Sequence, residues 1–89
     1  MAVFVVTHKV NDFAAWKGAY DSFNSKQVEH GIKDHYVLQS VDDPNNVLVV
    51  AEGELGKIQE FLNSEELKNV MAKAGVGGTP TIFVGENRI

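Results

Sequence analysis

Val3-Phe4-Val5-Val6-Thr7-His8-Lys9-Val10, then Asn11-Asp12, then Phe13, Trp16, Tyr20, Phe23 and either Gln27 or Val28, is the stretch on which the fold turns. Its first part is rich in β-branched residues and closed by turn formers, so it reads as a strand. Its second part recurs at steps of three and four, which stripes one face of a helix. Asn11 or Asp12 is placed to cap that helix, and Gly31 supplies the left-handed position that ends it. Working outward, residues 32–41 and 47–54 form two further strands. Asp42-Asp43-Pro44-Asn45-Asn46 turns between them, making a hairpin.

Leu55, Ile58, Phe61 and Leu62 open a second helical stripe, which Leu67, Val70, Met71 and Ala74 continue. Ser64 followed by Glu65 and Glu66 looks like a fresh N-cap with acids in the first turn, so a break is expected near Asn63-Ser64. Gly75 ends this helix, Gly75-Val76-Gly77-Gly78 forms a glycine-rich loop, and residues 81–84 make the last strand. The element order is βαββαβ, the α+β ferredoxin-like pattern, with antiparallel strands in the order 4-1-3-2 and both helices on one face.

The chain has 89 residues, 44% hydrophobic and 22% charged, which fits one globular domain over residues 1–89. A chain of this length buries only about two-thirds of the surface its unfolded form exposes, so a partner subunit would help its thin core. It contains no cysteine, which excludes disulfides, thiolate metal sites and thiol redox chemistry. No apolar run approaches a membrane span, and the N-terminus lacks the basic region of a signal peptide, so the expected location is cytoplasmic. Eight Lys plus Arg face twelve Asp plus Glu for a net charge of −4, and the one arginine is Arg88. Nucleic acid and anionic membrane surfaces, which need clustered cations, are therefore not expected partners. The RNA-recognition domain shares this element order, but the basic and aromatic residues its sheet would need are missing.

A sheet with one wet face should alternate apolar and polar residues. Val3-Phe4-Val5-Val6 and Val47-Leu48-Val49-Val50-Ala51 do not alternate. The helices cover one face, and a second copy of the same sheet is the simplest cover for the other. A homodimer joined through its sheet faces is expected.

Several short motifs add to this reading: Val6-Thr7-His8-Lys9-Val10, Asp12-Phe13 with Trp16-Lys17, Asp43-Pro44-Asn45, Glu52, and Ser64-Glu65-Glu66-Leu67 with Met71 and Ala74-Gly75-Val76. Together they resemble the dimeric α/β-barrel superfamily, and within it the small stand-alone proteins grouped with antibiotic biosynthesis monooxygenase-like domains. The resemblance implies a ferredoxin-like subunit, a face-to-face dimer and a ligand cavity between sheet and helices. Members include cofactor-free oxygenases, haem-degrading enzymes and lactone isomerases. The chain departs from the haem-degrading branch, whose Trp and His on the second helical segment have no counterpart between Leu55 and Ala74. It also lacks the arginine of the oxygenase branch's substrate site, so the fold transfers more readily than a reaction.

If Val41 lies opposite Val47 and the middles of the first and third strands face each other, Phe4, Glu52 and Tyr36 form one cross-strand row, and His8, Leu48 and Ser40 another. That face would gather an acid, a phenol, an imidazole and a hydroxyl among apolar groups, which suits a small-molecule pocket. His8 and Glu52 are then the candidate proton-transfer residues, while Phe4, Trp16, Tyr20, Tyr36 and Ser40 are the candidate substrate contacts. Each has a structural alternative. His8 could be a strand-end residue bonded to backbone, Glu52 a salt-bridge or interface group, Tyr36 a rim residue, and the aromatic stripe plain core.

His8, His30 and His35 lack the helical spacing of a zinc site, so neither metal nor cofactor is expected. No nucleophile elbow and no phosphate or dinucleotide loop is present. Gly78-Thr79-Pro80-Thr81 resembles the proline loop of thioredoxin-like proteins, but without a cysteine pair it reads as a way into an edge strand. The expectation is a homodimer binding a small aromatic or polyketide-like molecule, with cofactor-independent oxygenation or isomerisation as its chemistry. The competing reading is a non-catalytic ligand-binding or stress-response module.

Overall fold

The computed structural model describes residues 1–73 and 75–89, residues 76–79 by their backbone only. Ala74, which the helical stripe includes, lies outside the described residues. The elements are β1 (Ala2–Val10), α1 (Phe13–Ser22), α2 (Asn24–Glu29), β2 (Lys33–Gln39), β3 (Asn46–Gly53), α3 (Leu55–Leu62), α4 (Glu65–Lys73) and β4 (Val76–Glu86). The four strands form one antiparallel sheet in the order β2-β3-β1-β4, the expected ferredoxin-like topology.

Local chemistry accounts for the helix boundaries. The Asp12 carboxylate accepts a hydrogen bond from the Ala15 N–H at 2.9 Å, which caps α1. The Ser64 hydroxyl does the same for α4, accepting from the Leu67 N–H at 3.1 Å. Gly31, at φ +68°, turns the chain from α2 into β2. The first helical stripe is not continuous, however. It breaks at Phe23, just after the Ser22 hydroxyl donates back to the Gly18 carbonyl at 3.0 Å, a contact that bends helices. The break turns Gln27 inward and leaves Val28 exposed, which resolves the open end of the stripe.

Two expectations about strands are corrected. The last strand begins at Val76 rather than residue 81, because β1 is long enough to pair Val10 with Val76 beyond a register shift. Pro80 thus lies within an edge strand, where a missing donor is tolerated. The register of β1 against β3 also differs by one residue: Ala51, not Glu52, lies opposite Phe4, and Val47, not Leu48, opposite His8. The physical reason is the double-sided apolarity of both strands. With no alternation and no tight turn joining them, the pattern does not choose between the two registers. Within the hairpin, Gln39 rather than Val41 faces Val47, and a register shift falls between Asp34 and Tyr36, at His35.

The core lies between the sheet and the helices. Phe4, Ala51, Ile58 and Phe61 form one cluster with Ala2 and Ile32. Val10, Trp16, Val47 and Val49 form a second. All helices therefore cover the face that carries Phe4, Val6, His8, Val47, Val49 and Ala51. The opposite face carries Val3, Val5, Leu48, Val50, Tyr36, Leu38 and Phe83, and the last three of these are at least half exposed.

Ile58 is completely buried beneath α3 against both sheet and loop. Ile58→Ala is expected to cost about 2–5 kcal/mol through lost transfer energy and the cavity left behind. A thermal melt should then fall by about 10 °C or more, given the size of the domain. A change within error would show that the α3 contact is not needed for the fold.

Candidate functional site

The clusters do not close completely over the sheet. Between them and α4 lies a cavity of about 410 Å³, walled by Phe4, Val6 and His8 of β1, by Trp16 and Tyr20 of α1, and by Phe61 of α3. Its far side is formed by Leu67, Lys68, Val70 and Met71 of α4. None of the α4 residues is fully buried, and the helix meets the core through the partly buried Leu67.

The aromatic wall is ordered by contacts that begin in the sheet. Trp16 meets the His8 ring edge-on at 5.4 Å between centroids and stacks on Tyr20 at 5.1 Å. The Tyr20 hydroxyl donates to Asp34 Oδ1 at 2.7 Å and accepts from Gln27 Nε2 at 3.1 Å. This chain ties β2 to α1 and α2, and it commits the phenol on both sides. Burial raises the Tyr20 pKa well above the usual phenol value, with the Asp34 carboxylate adding in the same direction against the opposing Gln27 bond. Tyr20 is a structural post of the wall rather than a free proton donor. Because the hydroxyl proton goes to Asp34, the amide nitrogen of Gln27 must face Tyr20. Gln27 Oε1 is then left sealed, with no partner among the described residues.

His8 differs. Its Nδ1 lies 3.4 Å from the Lys9 carbonyl oxygen, which can only accept. Nδ1 therefore carries the proton of the neutral ring, and Nε2 holds a lone pair with no protein partner among the described residues. Desolvation lowers the His8 pKa from 6.5, the Lys9 bond opposing it. The ring is a neutral base in the wall of an apolar cavity.

Of the residues expected at the site, Phe4, His8, Trp16 and Tyr20 line the cavity, whereas Glu52, Tyr36 and Ser40 do not. The register slip separates them. Glu52 and Tyr36 belong to the outer face, where Glu52 Oε1 lies 3.0 Å from His35 Nε2. Ser40 lies past the end of β2, and its hydroxyl accepts from the N–H groups of Asp42 and Asp43. Gln27 and Lys68 are the polar lining residues that sequence reasoning missed. Gln27 was legible as the seventh residue after Tyr20, two helical turns along the same stripe. Lys68 had no such signal.

The chain belongs to the family described as "Domain of unknown function (DUF3764)", whose model matches residues 1–82. No curated protein matches its sequence. Its fold is that of antibiotic biosynthesis monooxygenase-like proteins. SnoaB, a cofactor-independent oxygenase from Streptomyces nogalater, superposes with a TM-score of 0.77 at 15% identity, over 99% of this chain and 93% of that one. A conserved protein from Methanosarcina mazei Go1 gives 0.76 at 16%, covering 99% and 94%. A protein of Nitrosomonas europaea, provisionally assigned as an antibiotic biosynthesis monooxygenase, gives 0.73 at 15%, covering 98% of each chain. At such identities the likeness establishes the fold.

The buried state of His8 has a consequence for pH. With its folded pKa below the unfolded value of 6.5, the unfolded chain binds more protons in the interval between the two. Stability from this group is complete above that interval and is lost as the pH falls through it. A proton NMR titration should place the His8 midpoint below 6.5. The urea midpoint should fall on acidification more steeply in the wild type than in His8→Gln. A His8 midpoint at or above 6.5 would contradict the burial argument.

Proposed function

We propose that this protein is a cytoplasmic homodimer that binds a small aromatic or polyketide-like molecule in the cavity between sheet and helices. Its proposed chemistry is cofactor-independent oxygenation or isomerisation. The observation that carries the reading is His8: a neutral imidazole in the wall of a mostly apolar cavity, its Nε2 with no partner among the described residues. Such a base can take a proton from a ligand carbon or hydroxyl made acidic by an adjoining aromatic system. The resulting anion either donates electrons to dioxygen or accepts a proton back at another carbon. The name of SnoaB, a cofactor-independent oxygenase, favours the first course.

The dimer reading rests on the outer face of the sheet. Tyr36, Leu38 and Phe83 stand 62%, 50% and 69% exposed there, beside Val3, Val5, Leu48 and Val50. A contiguous apolar face of this kind is unusual on a monomer. A second copy presents the same face and matches it by twofold symmetry. Sedimentation at micromolar concentration should give a dimer, and Leu38→Lys should give a folded monomer. A monomeric wild type would overturn this part of the reading.

Anthrone, a three-ring aromatic carbon acid, tests the chemistry in air-saturated buffer. Oxygen uptake should exceed the uncatalysed rate, and His8→Ala should reduce the excess by about 100-fold or more while quenching of Trp16 fluorescence by the ligand persists. Saturable quenching with no excess uptake would assign the cavity to binding alone.

A further inference from the structure

The polar inventory of the cavity constrains what it can hold. Tyr20 is committed to Asp34 and Gln27, Gln27 Nε2 to Tyr20, and Gln27 Oε1 is sealed from any ligand. Three groups remain for a ligand's polar end: Nε2 of His8 and the indole N–H of Trp16, both uncharged, and the ammonium of Lys68, the one cation of the lining and an exposed residue of α4, so at the solvent side of the cavity. None of the chain's twelve acidic residues lines the cavity, in a protein of net charge −4. Lys9, Lys17, Lys26, Lys57 and Arg88 each pair with a carboxylate, and Lys26 also holds Glu66 of α4 at 3.3 Å. Lys33, Lys68 and Lys73 have no such partner among the described residues, and of these three only Lys68 lines the cavity, with Glu65 one turn before it.

We propose that the cavity's ligand is an apolar molecule with a single anionic group, and that Lys68 meets this charge at the cavity's mouth. The inference rests on the cavity reading above and adds the ligand's charge. The apolar body lies against Trp16, Phe4, Phe61 and Leu67, where burial of carbon surface drives binding. The anionic group stays at the solvent edge, so it is never fully desolvated, and a flexible ammonium suits it better there than in the interior. A second anion-binding group is not needed, because the rest of the lining repels nothing. The ordinary alternative is that the Lys68 stem simply covers apolar surface with its charge in water.

Two probes of matched shape separate these cases. One is 8-anilinonaphthalene-1-sulfonate; the other is N-phenyl-1-naphthylamine, the same ring system without the sulfonate. Each is titrated into the protein while the indole N–H resonance of Trp16, the only tryptophan, reports occupancy of this cavity. Lys68→Met keeps most of the apolar stem and removes the charge. It should weaken the sulfonate about five-fold at low salt, the size of a partly exposed ion pair, and leave the neutral probe unchanged. Equal weakening of both probes, or of neither, would overturn the charge assignment and leave the cavity reading intact. If neither probe moves the Trp16 resonance in the wild type, the cavity reading falls, and this inference with it.

Discussion

The rest of the structure depends on a sheet that is apolar on both faces in a chain with helices enough for one. β1 and β3 lie at the centre of the sheet and carry the unbroken apolar runs Ala2–Val6 and Val47–Ala51. Removing both faces from water is worth more than any hydrogen bond or ion pair in the molecule, at about 25 cal/mol per Å². The helices can take only one side. What they cover becomes the core and the cavity wall, and what they leave becomes the surface for which a second copy is proposed.

On the covered side the two helical pairs behave differently. α1 and α2 are locked to the sheet by Trp16, by the Tyr20 stack and by the hydrogen-bond chain from Asp34 through Tyr20 to Gln27. α3 is anchored by Ile58 and Phe61, both buried. α4 has no fully buried residue and is held by the packing of Leu67 on the first core cluster, by its Ser64 cap and by the ion pair from Lys26 to Glu66. Exposed ion pairs contribute little, typically less than about 1 kcal/mol. The cavity thus has an aromatic wall tied by hydrogen bonds opposite an apolar one whose residues are only partly buried or exposed.

The fold was legible because its signals are local. Strand composition, the three-and-four spacing of Phe13, Trp16 and Tyr20, the Ser64 cap and the Asp42–Asn46 turn each act within a few residues. The candidate site was only half legible, because it depends on a long-range register. Phe4 and His8 belong to one strand and keep their common face whatever that strand pairs with. Glu52 and Tyr36 were attached to them through β3, and a slip of one residue carried both to the outer face. The double-sided apolarity that made a second sheet the expected partner is the same property that hid the register. Strands that alternate would have fixed the register and removed the reason to expect a dimer.

That slip also takes the one carboxylate expected on the cavity face away from it. In the expected register Glu52 shared the cavity face with His8, four strand residues and about 13 Å away, so a carboxylate and an imidazole would have met opposite ends of one ligand. With Glu52 on the other face against His35, the imidazole has only the Lys9 carbonyl behind it. A carbonyl fixes the tautomer but adds no charge, so His8 stays neutral and its Nε2 can only accept. A base with no acid beside it suits a reaction that begins by removing a proton from an already acidified ligand. Any later protonation must then come from the same imidazole, from the ligand or from water. The sheet register, set by packing, decides which half of acid–base chemistry this cavity can supply.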